Sequence, residues 1–492
     1  MDLERFAHHL ESPQGHRHLP EDAFTGAAGG AGCCDRLRIS LAVAGDRVLD
    51  AGFDGEGCGA AIAAGSAAVA LVRGRAVLDA ARIGAREISV ELGGLSPGKL
   101  HAAEVAADAL HRALGTAVRE RAQIAATQEQ QARTLVAMSG GVDSAVAALL
   151  CSRKGGETIA VTLELWADPE NDGDRSCCSA SAVRGARAVA HRMGLAHLTL
   201  DLRDEFRAGV VEPFIAGHAA GETPNPCVRC NGHVRLDAML DLAQALGCAR
   251  LATGHYARLA DRGNASGPLL RAAVDSDKDQ TYMLAALAPQ SLARMSFPLG
   301  ELTKPEVRRI AAEAGLSVAG KPDSQDLCFL AGTDRARFLA RHGGLAERSG
   351  EVLDARGTLL GRHRGHHDFT IGQRRGLGLG GGEALYVVET DAERNRVIVG
   401  PRADLLTDSV AVRGARLHRP GARVDRVKLR YRSDPLPARL AGTPPAGRHA
   451  ALTVQLEAAA DAAAPGQLAC FMDGDLVVGW GTIARAMVRA AT

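Results

Sequence analysis

The segment SGGVDS at residues 139–144 constrains the fold of this 492-residue chain more than any other feature. It separates an apolar stretch with strand character, residues 134–138, from a helix-prone stretch, residues 145–155. The first turn of a helix carries unpaired N–H groups and a partial positive charge, and glycines let a phosphate approach those groups closely. The segment therefore predicts a pyrophosphate-binding turn, with a glycine-rich turn that binds no ligand as the alternative.

Strand-like and helix-like segments alternate over residues 134–329. After the turn come a strand pattern at 158–166, a helix pattern at 180–193 and another strand pattern at 250–256. Strands that alternate with helices are typical of βαβ units. We therefore predict a parallel, doubly wound sheet that binds a nucleotide.

Other regions flank this sheet domain. Residues 1–117 combine a hairpin pattern with two helix patterns and predict an α+β domain, and the polar residues 118–133 predict a linker. Residues 330–405 are mixed and rich in glycine, and residues 406–492 contain short strands separated by turn signals. The predicted fold class is therefore α/β, with a small mixed central domain and a C-terminal β-barrel.

Cysteine usage and hydropathy predict a cytoplasmic protein. The chain has eleven cysteines, and neither a signal-peptide pattern nor an apolar run long enough to span a bilayer is visible. Cytoplasmic thiols stay reduced, so the cysteines are metal ligands, redox-active thiols or buried apolar residues.

Net charge does not identify a partner, because the formal value is only +1. Residues 411–450, however, contain ten Lys or Arg and only two acidic residues. Such a basic stretch is typical of a surface that follows a phosphate backbone, and a solvated pair of strands explains it equally well.

Longer motifs resemble one enzyme family. They are TPNPCVRCN at 223–231, ATGHY at 252–256, DSDKDQTY at 275–282 and KPDSQDLCF at 321–329. Together with the 139–144 turn they resemble the ATP pyrophosphatase superfamily and, within it, the bacterial tRNA-specific 2-thiouridylases, over roughly residues 134–488.

The resemblance implies a reaction and its substrates. ATP, with Mg²⁺, adenylates O2 of the wobble uridine U34 of tRNA, and sulfur then replaces the oxygen with release of AMP and pyrophosphate. It implies tRNAs for Lys, Glu and Gln as partners, and a tRNA-binding role for the central domain.

The resemblance also implies site residues with distinct roles. The ATP-binding residues are Ala137, Met138, Ser139, Gly140, Gly141, Val142, Asp143, Ser144, Leu163 and Gly254. The tRNA-binding residues are Asn225, Pro226, Cys227, Lys278, Asp279, Gln280, Arg430 and Tyr431. His255 and Gln467 match positions beside the active site.

Cys230 and Cys328 are the catalytic residues that the resemblance implies. Cys328 carries the sulfur as a persulfide, and Cys230 assists its release by forming a disulfide with Cys328. Because Cys227 stands where some family members have Asp, the three thiols can instead hold a [4Fe–4S] cluster, which we favour. A zinc half-site is the weaker interpretation, since no second CxxC pair follows. Cys177 and Cys178, adjacent in a polar loop, are candidates for a sulfur relay, and lone cysteines such as Cys151, Cys248 and Cys470 are expected to be buried apolar residues.

Residues 1–117 resemble the iron–sulfur scaffold family of the NifU and IscU type. Cys33, Asp35 and Cys58 match its ligand positions, whereas Ala102 stands where the third cysteine is expected. His101 or Cys34 can substitute as a ligand. The domain is then a scaffold with altered ligands, a module that receives sulfur from a cysteine desulfurase and delivers it, or a docking module, and we rank delivery first.

Two other functions remain open. A different ATP pyrophosphatase synthetase is disfavoured by the paired cysteines and by the lack of a glutaminase-like domain. A non-catalytic iron–sulfur carrier is disfavoured by the intact nucleotide turn.

Overall fold

The structure is a computed structural model, and it describes residues 2–30, 33–120, 133–168, 179–260, 265–323, 327–330, 332–380, 383–461 and 463–485. It divides into two compact units. The first unit comprises residues 1–203, 238–255 and 294–329, and the second comprises residues 204–237, 256–293 and 330–492. Most of the predicted linker, residues 121–132, lies outside the described residues.

Helices and strands are numbered in chain order. The α-helices of the described residues are α1 (Leu3–Glu11), α2 (Gly59–Val72), α3 (Val77–Ala80), α4 (Ala85–Glu91), α5 (Leu100–Glu120), α6 (Val142–Arg153), α7 (Ala180–Arg192), α8 (Arg203–Phe206), α9 (Glu212–Ala219), α10 (Pro226–Cys230), α11 (Leu236–Ala245), α12 (Thr281–Leu284), α13 (Pro289–Ala293), α14 (Lys304–Glu313) and α15 (Arg335–Gly343). The strands are β1 (Phe24–Gly30), β2 (Cys33–Ala44), β3 (Arg47–Glu56), β4 (Thr134–Ala137), β5 (Thr158–Glu164), β6 (Ala196–Asp201), β7 (Arg250–Ala252), β8 (Arg258–Ala260), β9 (Leu269–Arg271), β10 (Met295–Ser296), β11 (Gly350–Leu353), β12 (Leu359–His363), β13 (Tyr386–Asp391), β14 (Arg396–Gly400), β15 (Leu406–Leu417), β16 (Arg426–Lys428), β17 (Leu436–Leu440), β18 (Gly447–Asp461), β19 (Leu468–Asp473) and β20 (Leu476–Ile483).

The N-terminal part of the first unit is an antiparallel sheet covered by helices. The strand order is β1-β2-β3, and the predicted hairpin is formed by β2 and β3. Alternate residues Leu37, Ile39 and Leu41 of β2 are buried against α2 and α5. The alternation of apolar residues therefore defines the face of the sheet on which the helices pack.

The rest of the first unit contains the predicted parallel sheet. Its strand order is β10-β7-β4-β5-β6, and all of these neighbours are parallel. The residues of β5 are buried throughout, as expected for an inner strand of a parallel sheet. The order reverses between β4 and β7, and such a switch point creates a crevice at the carboxyl ends of the strands. The α/β prediction is thereby confirmed.

The second unit contains two further sheets. One has the order β12-β11-β14-β13. In the other, β15-β18-β17-β16-β19-β20 closes on itself through pairing of β15 with β20, which confirms the predicted β-barrel. Its interior is filled by apolar side chains such as Val412, Val454 and Phe471. The short strands β8 and β9 extend this sheet from β20 and were not predicted from the sequence.

Helix α5 of the N-terminal part packs against β6, an edge strand of the parallel sheet. The approach is close at Gly115, where a Cβ atom would lie 2.0 Å from the carbonyl oxygen of Thr199. A glycine in the middle of a helix normally costs stability. At this position the missing side chain instead permits contact between helix and strand.

We expect Gly115→Ala to lower the free energy of unfolding by about 1–3 kcal/mol, because the added methyl group overpacks the contact with Thr199. Gly185→Ala is the matched control, since Gly185 also lies within a helix but an added Cβ meets no atom within 4 Å. The control should raise stability by about 0.5–1 kcal/mol. Urea denaturation of both variants measures the difference, and equal effects would show that α5 and β6 do not pack this closely.

Candidate active site

The 139–144 loop joins the end of β4 to the start of α6 in the first unit. Gly140 has a φ of +72°, and a Cβ atom there would lie 2.8 Å from the carbonyl oxygen of Ala182. Gly141 is the N-cap of α6 and has no side chain to pair with the first amides of the helix. Both glycines therefore leave the backbone amides accessible to an anion.

Hydroxyl groups within the loop fix its shape. The Ser144 Oγ accepts a hydrogen bond from the Ser139 amide and donates one to the Gly141 carbonyl oxygen, each at 3.1 Å. The Ser139 Oγ lies 3.3 Å from the same Ser144 Oγ. The Ser144 hydroxyl proton is thus used inside the loop, where we expected it to face a phosphate.

The other predicted ATP-binding residues surround the loop. Gly254, just after β7, approaches the loop so closely that a Cβ atom would lie 2.8 Å from the Ser144 nitrogen. Ala137 ends β4 and Met138 follows it, and Leu163 is buried near the end of β5. All of these lie at the carboxyl ends of neighbouring parallel strands.

Lysines that the sequence analysis missed reinforce the loop. The Lys304 ammonium contacts the Asp143 carboxylate at 2.7 and 2.9 Å and the Asp323 carboxylate at 2.8 Å. The Lys321 ammonium donates to the Gly140 carbonyl oxygen at 3.0 Å. Lys304 opens α14 and is buried. Its burial is a property of the fold, so no local sequence signal identifies it.

Asp143 is the one carboxylate among the predicted ATP-binding residues and so the residue to test as a ligand of Mg²⁺. Both of its carboxylate oxygens accept hydrogen bonds from Lys304, so the donor set does not fit a protein-held Mg²⁺ ion. The pair of Asp143 and Lys304 instead ties the first turn of α6 to α14.

Two predicted residues of the first unit lie in short turns. The His255 Nδ1 is 2.9 Å from the Thr253 hydroxyl oxygen, which orients the half-buried ring. Cys328 begins a 3₁₀ turn, Cys328–Leu330, and is half-buried beside the buried Phe329. Residues 324–326 of the same motif lie outside the described residues.

Cys227 and Cys230 belong to the one-turn helix α10 of the second unit. Pro226 is its first residue, and the Asn225 side-chain oxygen caps it by accepting hydrogen bonds from the amides of Cys227 and Val228. The spacing of three residues places both thiols on one side of the turn. Cys230 is buried and Cys227 is half-buried.

Gln467 holds the loop that precedes this helix. Its side-chain amide donates to the Thr223 carbonyl oxygen, and the Thr223 amide donates to the Pro465 carbonyl oxygen at 2.8 Å. Glu222 pairs with Arg413 of β15 at 2.7 Å. The proline-rich loop is therefore anchored at several points to the barrel.

Some predicted tRNA-binding side chains have partners within the fold. The Asp279 carboxylate accepts from the Ala273 amide at 3.0 Å and from the Thr281 hydroxyl at 2.7 Å. The Gln280 side-chain oxygen accepts from the Tyr256 amide at 2.9 Å. These two side chains therefore shape the 275–282 segment from within the fold.

Tyr431 lies in the same neighbourhood as the cysteine helix. Burial is the main cause that raises the pKa of Tyr431, and the charges of Asp279 and Cys227 raise it further while Lys278 opposes them. Lys278 and Tyr431 are half-buried, and Arg430 is exposed. The structure thus brings together Cys227 and most of the residues predicted to bind tRNA.

The basic stretch 411–450 is partly structural. Arg419 is buried and donates to the Gly267 carbonyl oxygen at 2.6 Å, and Arg423 pairs with Asp473. Arg413 pairs with Glu222 and so helps to anchor the proline-rich loop. Arg430, Arg432, Arg439 and Arg448 of this stretch are exposed and are candidates for contact with a phosphate backbone. Arg439 also contacts Gln455.

Asp35, Cys58 and His101 form a compact group in the N-terminal part. Their ligand atoms lie within 4.8 Å of one another. The Asp35 carboxylate accepts from the Cys58 amide at 2.7 Å and from its thiol at 3.4 Å, and the His101 Nε2 lies 3.0 Å away. Burial alone would raise the pKa of Asp35, but these hydrogen bonds outweigh it and lower the pKa. The carboxylate, thiol and imidazole suit one divalent metal ion.

The other residues at or near the scaffold family's ligand positions add no further ligand that the structure describes in this group. Ala102, in place of the third cysteine, is fully buried, and Cys34 is exposed. The Cys33 side chain, Cys177 and Cys178 lie outside the described residues. Among the described side chains, this group contains one thiol, Cys58, beside a carboxylate and an imidazole.

The lone cysteines differ from the candidate site cysteines in that their thiols are buried in the core. Burial raises the pKa of Cys151 to about 11 and the pKa of Cys248 and Cys470 to about 12. These thiols stay protonated and are part of the core. None of the helices in the described ranges is long and apolar enough to cross a membrane.

Four family models match the chain. They are the NifU-like N terminal domain at residues 3–123, the tRNA methyl transferase HUP domain at 132–332, the tRNA methyl transferase PRC-barrel domain at 336–401 and the aminomethyltransferase beta-barrel domain at 418–483.

Relatives match over most of their length. The bifunctional protein NifU/MnmA of Rubrobacter xylanophilus is 43% identical over 98% of this chain and 98% of its own length. The tRNA-specific 2-thiouridylases MnmA of Geobacter metallireducens and Chloroflexus aggregans are 41% and 44% identical. They cover 74% and 73% of this chain, which spans 100% and 99% of their lengths.

We expect Lys304→Met to lower the free energy of unfolding by about 1–3 kcal/mol, because two carboxylates near the 139–144 loop lose their shared counter-charge. Arg309→Met is the matched control, since Arg309 lies on the same helix and its pair with Glu313 is exposed. The control should change stability by less than about 0.5 kcal/mol. Denaturant unfolding compares the two, and an equal response would contradict a structural role for Lys304.

Proposed function

The chain belongs to the tRNA-specific 2-thiouridylase family and carries a NifU-like domain at its N-terminus, and we propose in detail how it converts a tRNA uridine to 2-thiouridine. The match to a bifunctional relative over 98% of both chains carries this assignment. The protein is a tRNA sulfurtransferase that consumes ATP. The domains proposed for it are residues 1–117, 134–329, 330–405 and 406–492, with a linker at 118–133.

Activation of the uridine is the first step. The amides at the start of α6, supported by Lys304 and Lys321, bind the phosphates of ATP supplied as its Mg²⁺ complex. Uridine O2 attacks the α-phosphorus, the bond to the β-phosphate breaks, and pyrophosphate leaves. The oxygen then belongs to an adenylate, which is a good leaving group.

Sulfur transfer follows at the cysteines. The terminal sulfur of a persulfide on Cys328 attacks C2 and expels AMP. The Cys230 thiolate then attacks Cys328 Sγ, which releases the thiolated base and leaves a disulfide of Cys230 with Cys328. A dithiol reductant restores both thiols for the next turnover.

A cluster offers a second route for the sulfur. Cys227 and Cys230 on one helical turn supply two thiolates, and Cys328 supplies the third that a [4Fe–4S] cluster requires. If bound by these three thiolates, such a cluster would supply iron chemistry for the transfer of hydrosulfide to the activated uridine. The test is anaerobic reconstitution with iron and sulfide. If the protein then contains no iron and still thiolates tRNA, the persulfide route is correct.

We infer the substrate from the family. The wobble uridine U34 of the tRNAs for Lys, Glu and Gln is the proposed target, and a cytoplasmic location follows from it. Asn225, Pro226 and Cys227 are proposed to hold the base, with Lys278, Arg430 and Tyr431 beside them; a flipped base needs such a stiff loop. His255 and Gln467 support the site.

The N-terminal domain is proposed to deliver sulfur from a cysteine desulfurase. We propose that the thiols of Cys33 and Cys58 carry the sulfur. Asp35 and His101 are the neighbouring ligands that a metal ion would share with Cys58. The incomplete cysteine set argues for delivery rather than cluster assembly.

Cys230→Ala and Cys328→Ala should each lower 2-thiouridine formation by about a thousandfold or more, because the nucleophile or the releasing thiol is lost. Pyrophosphate release in the presence of tRNA should persist. Cys151→Ala, which removes a core thiol, is the control and should stay within about twofold of wild type. Nucleoside mass spectrometry measures the 2-thiouridine formed. Full thiolation by the Cys328→Ala variant would show that Cys328 takes no part in the mechanism.

The double variant Cys33→Ala, Cys58→Ala should thiolate about tenfold more slowly when a cysteine desulfurase supplies the sulfur, because the relay thiols are missing. With inorganic sulfide as the donor its rate should equal that of wild type, because hydrosulfide can attack Cys328 Sγ in the Cys230–Cys328 disulfide, which restores the Cys328 persulfide and releases the Cys230 thiolate. Equal rates with the desulfurase as well would contradict the delivery role.

A further inference from the structure

The outer edge of strand β6 is covered by helix α5 of the N-terminal domain. Carbonyl groups at every second residue of the strand face positions at every fourth residue of the helix. The facing positions are His111 with the His197 oxygen at 2.7 Å, Gly115 with the Thr199 oxygen, and Arg119 with the Asp201 oxygen at 3.5 Å. Four helical residues advance about 6 Å and two strand residues about 6.6 Å, so the two repeats stay in step.

One ion-pair group links α5 to the wall of the 139–144 loop. The Asp108 carboxylate pairs with Arg184 at 2.7 Å and with Arg187 at 2.6 Å, and it is almost completely buried. Both arginines belong to α7. The same helix presents the Ala182 carbonyl oxygen to Gly140, where an added Cβ would lie 2.8 Å away. Asp108 thus fixes a helix that contacts the phosphate-binding turn.

A second ion pair links α5 to the Leu163 end of β5. The Arg112 guanidinium forms a forked contact with the Glu164 carboxylate at 2.8 and 2.6 Å. Glu164 is buried and directly follows Leu163 in β5. Burial would lower the pKa of Arg112, but Glu164 outweighs that effect and raises it. A buried carboxylate needs such a counter-charge, and among its described contacts Arg112 provides it.

We propose that helix α5 is a built-in positioning element of the ATP site, in which Arg112 fixes the Leu163 end of β5 and Asp108 fixes α7 against the 139–144 loop. The N-terminal domain then supports nucleotide binding in addition to any delivery of sulfur. Both residues act through Glu164 and the α7 arginines, so they are positioning residues. The inference rests on the ATP site of the proposed function.

This arrangement differs from that of a carrier on a flexible tether. A tethered carrier approaches and leaves, so its contact surface must remain soluble when exposed. Here the contact contains buried opposite charges, and separation would leave Asp108, Arg187 and Glu164 without counter-charges. These buried pairs therefore favour a domain that stays docked against β6 and α7.

The test uses the full chain and a non-cleavable analogue, α,β-methylene-ATP, titrated calorimetrically without tRNA. Arg112→Met should raise the Kd by about tenfold, because the Leu163 strand end loses its anchor. Arg38→Met is the matched control: it removes an exposed arginine of the same domain, paired with Asp54, and should leave the Kd unchanged. The exchanged double variant Arg112→Glu, Glu164→Arg should return the Kd towards that of wild type.

Kinetics separate positioning from catalysis. The KM for ATP of Arg112→Met should rise with the Kd, whereas kcat at saturating ATP should stay within about twofold of wild type. If Arg112→Met does not fold, Arg112→Lys keeps the charge, loses the forked contact and should shift the Kd in the same direction.

An unchanged Kd in a folded Arg112 variant would overturn the proposal. Wild-type protein that binds no analogue would instead remove the ATP site itself, and with it the proposed function. The two failures are therefore distinguishable from a single set of titrations.

Discussion

The backbone amides at the start of α6 are the feature around which the first unit is arranged. They lie where the strand order of the parallel sheet reverses, so the loops after β4 and β7 meet there. Gly140 has a φ of +72°, which favours glycine, and Gly254 approaches the loop too closely for a Cβ atom. Both glycines therefore leave this space free of side chains. Lys304, which pairs with Asp143, and Lys321, which donates to the Gly140 carbonyl oxygen, hold the loop in shape. A triphosphate suits this arrangement because its charge can be shared among many fixed donors.

One helix carries residues that belong to the N-terminal ligand group and residues that contact the nucleotide-binding domain. Helix α5 carries His101 of the N-terminal ligand group in its first turn and Arg112 farther along. A rise of 1.5 Å per residue places these two residues about 16 Å apart along the helix axis. The ligand group and the Arg112 contact with β5 are therefore held by one helix. Fusion thus gives the enzyme a fixed support as well as a sulfur-handling module.

Local patterns predicted much of this architecture, and tertiary contacts account for what they missed. The glycine turn, the hairpin and the barrel follow from spacing that is visible over a few residues. Asn225 was assigned to the target base, yet Asn before a Pro at a helix start is also a capping signature, and the structure uses its side chain in that way. Lys304 and Arg112 could not be identified from the sequence, since their partners lie 161 and 52 residues away. Strands β8 and β9 have three residues each, too few for a periodic pattern.

Oxygen labelling tests most directly whether this fold activates a tRNA uridine through its O2 atom. A tRNA transcript with ¹⁸O at O2 of its uridines is incubated with the protein, ATP and a sulfur donor, and the AMP formed is analysed by mass spectrometry. Attack of O2 on the α-phosphorus predicts one ¹⁸O atom in the AMP for every 2-thiouridine produced. AMP free of the label, with the ¹⁸O released to water while 2-thiouridine accumulates, would contradict the account.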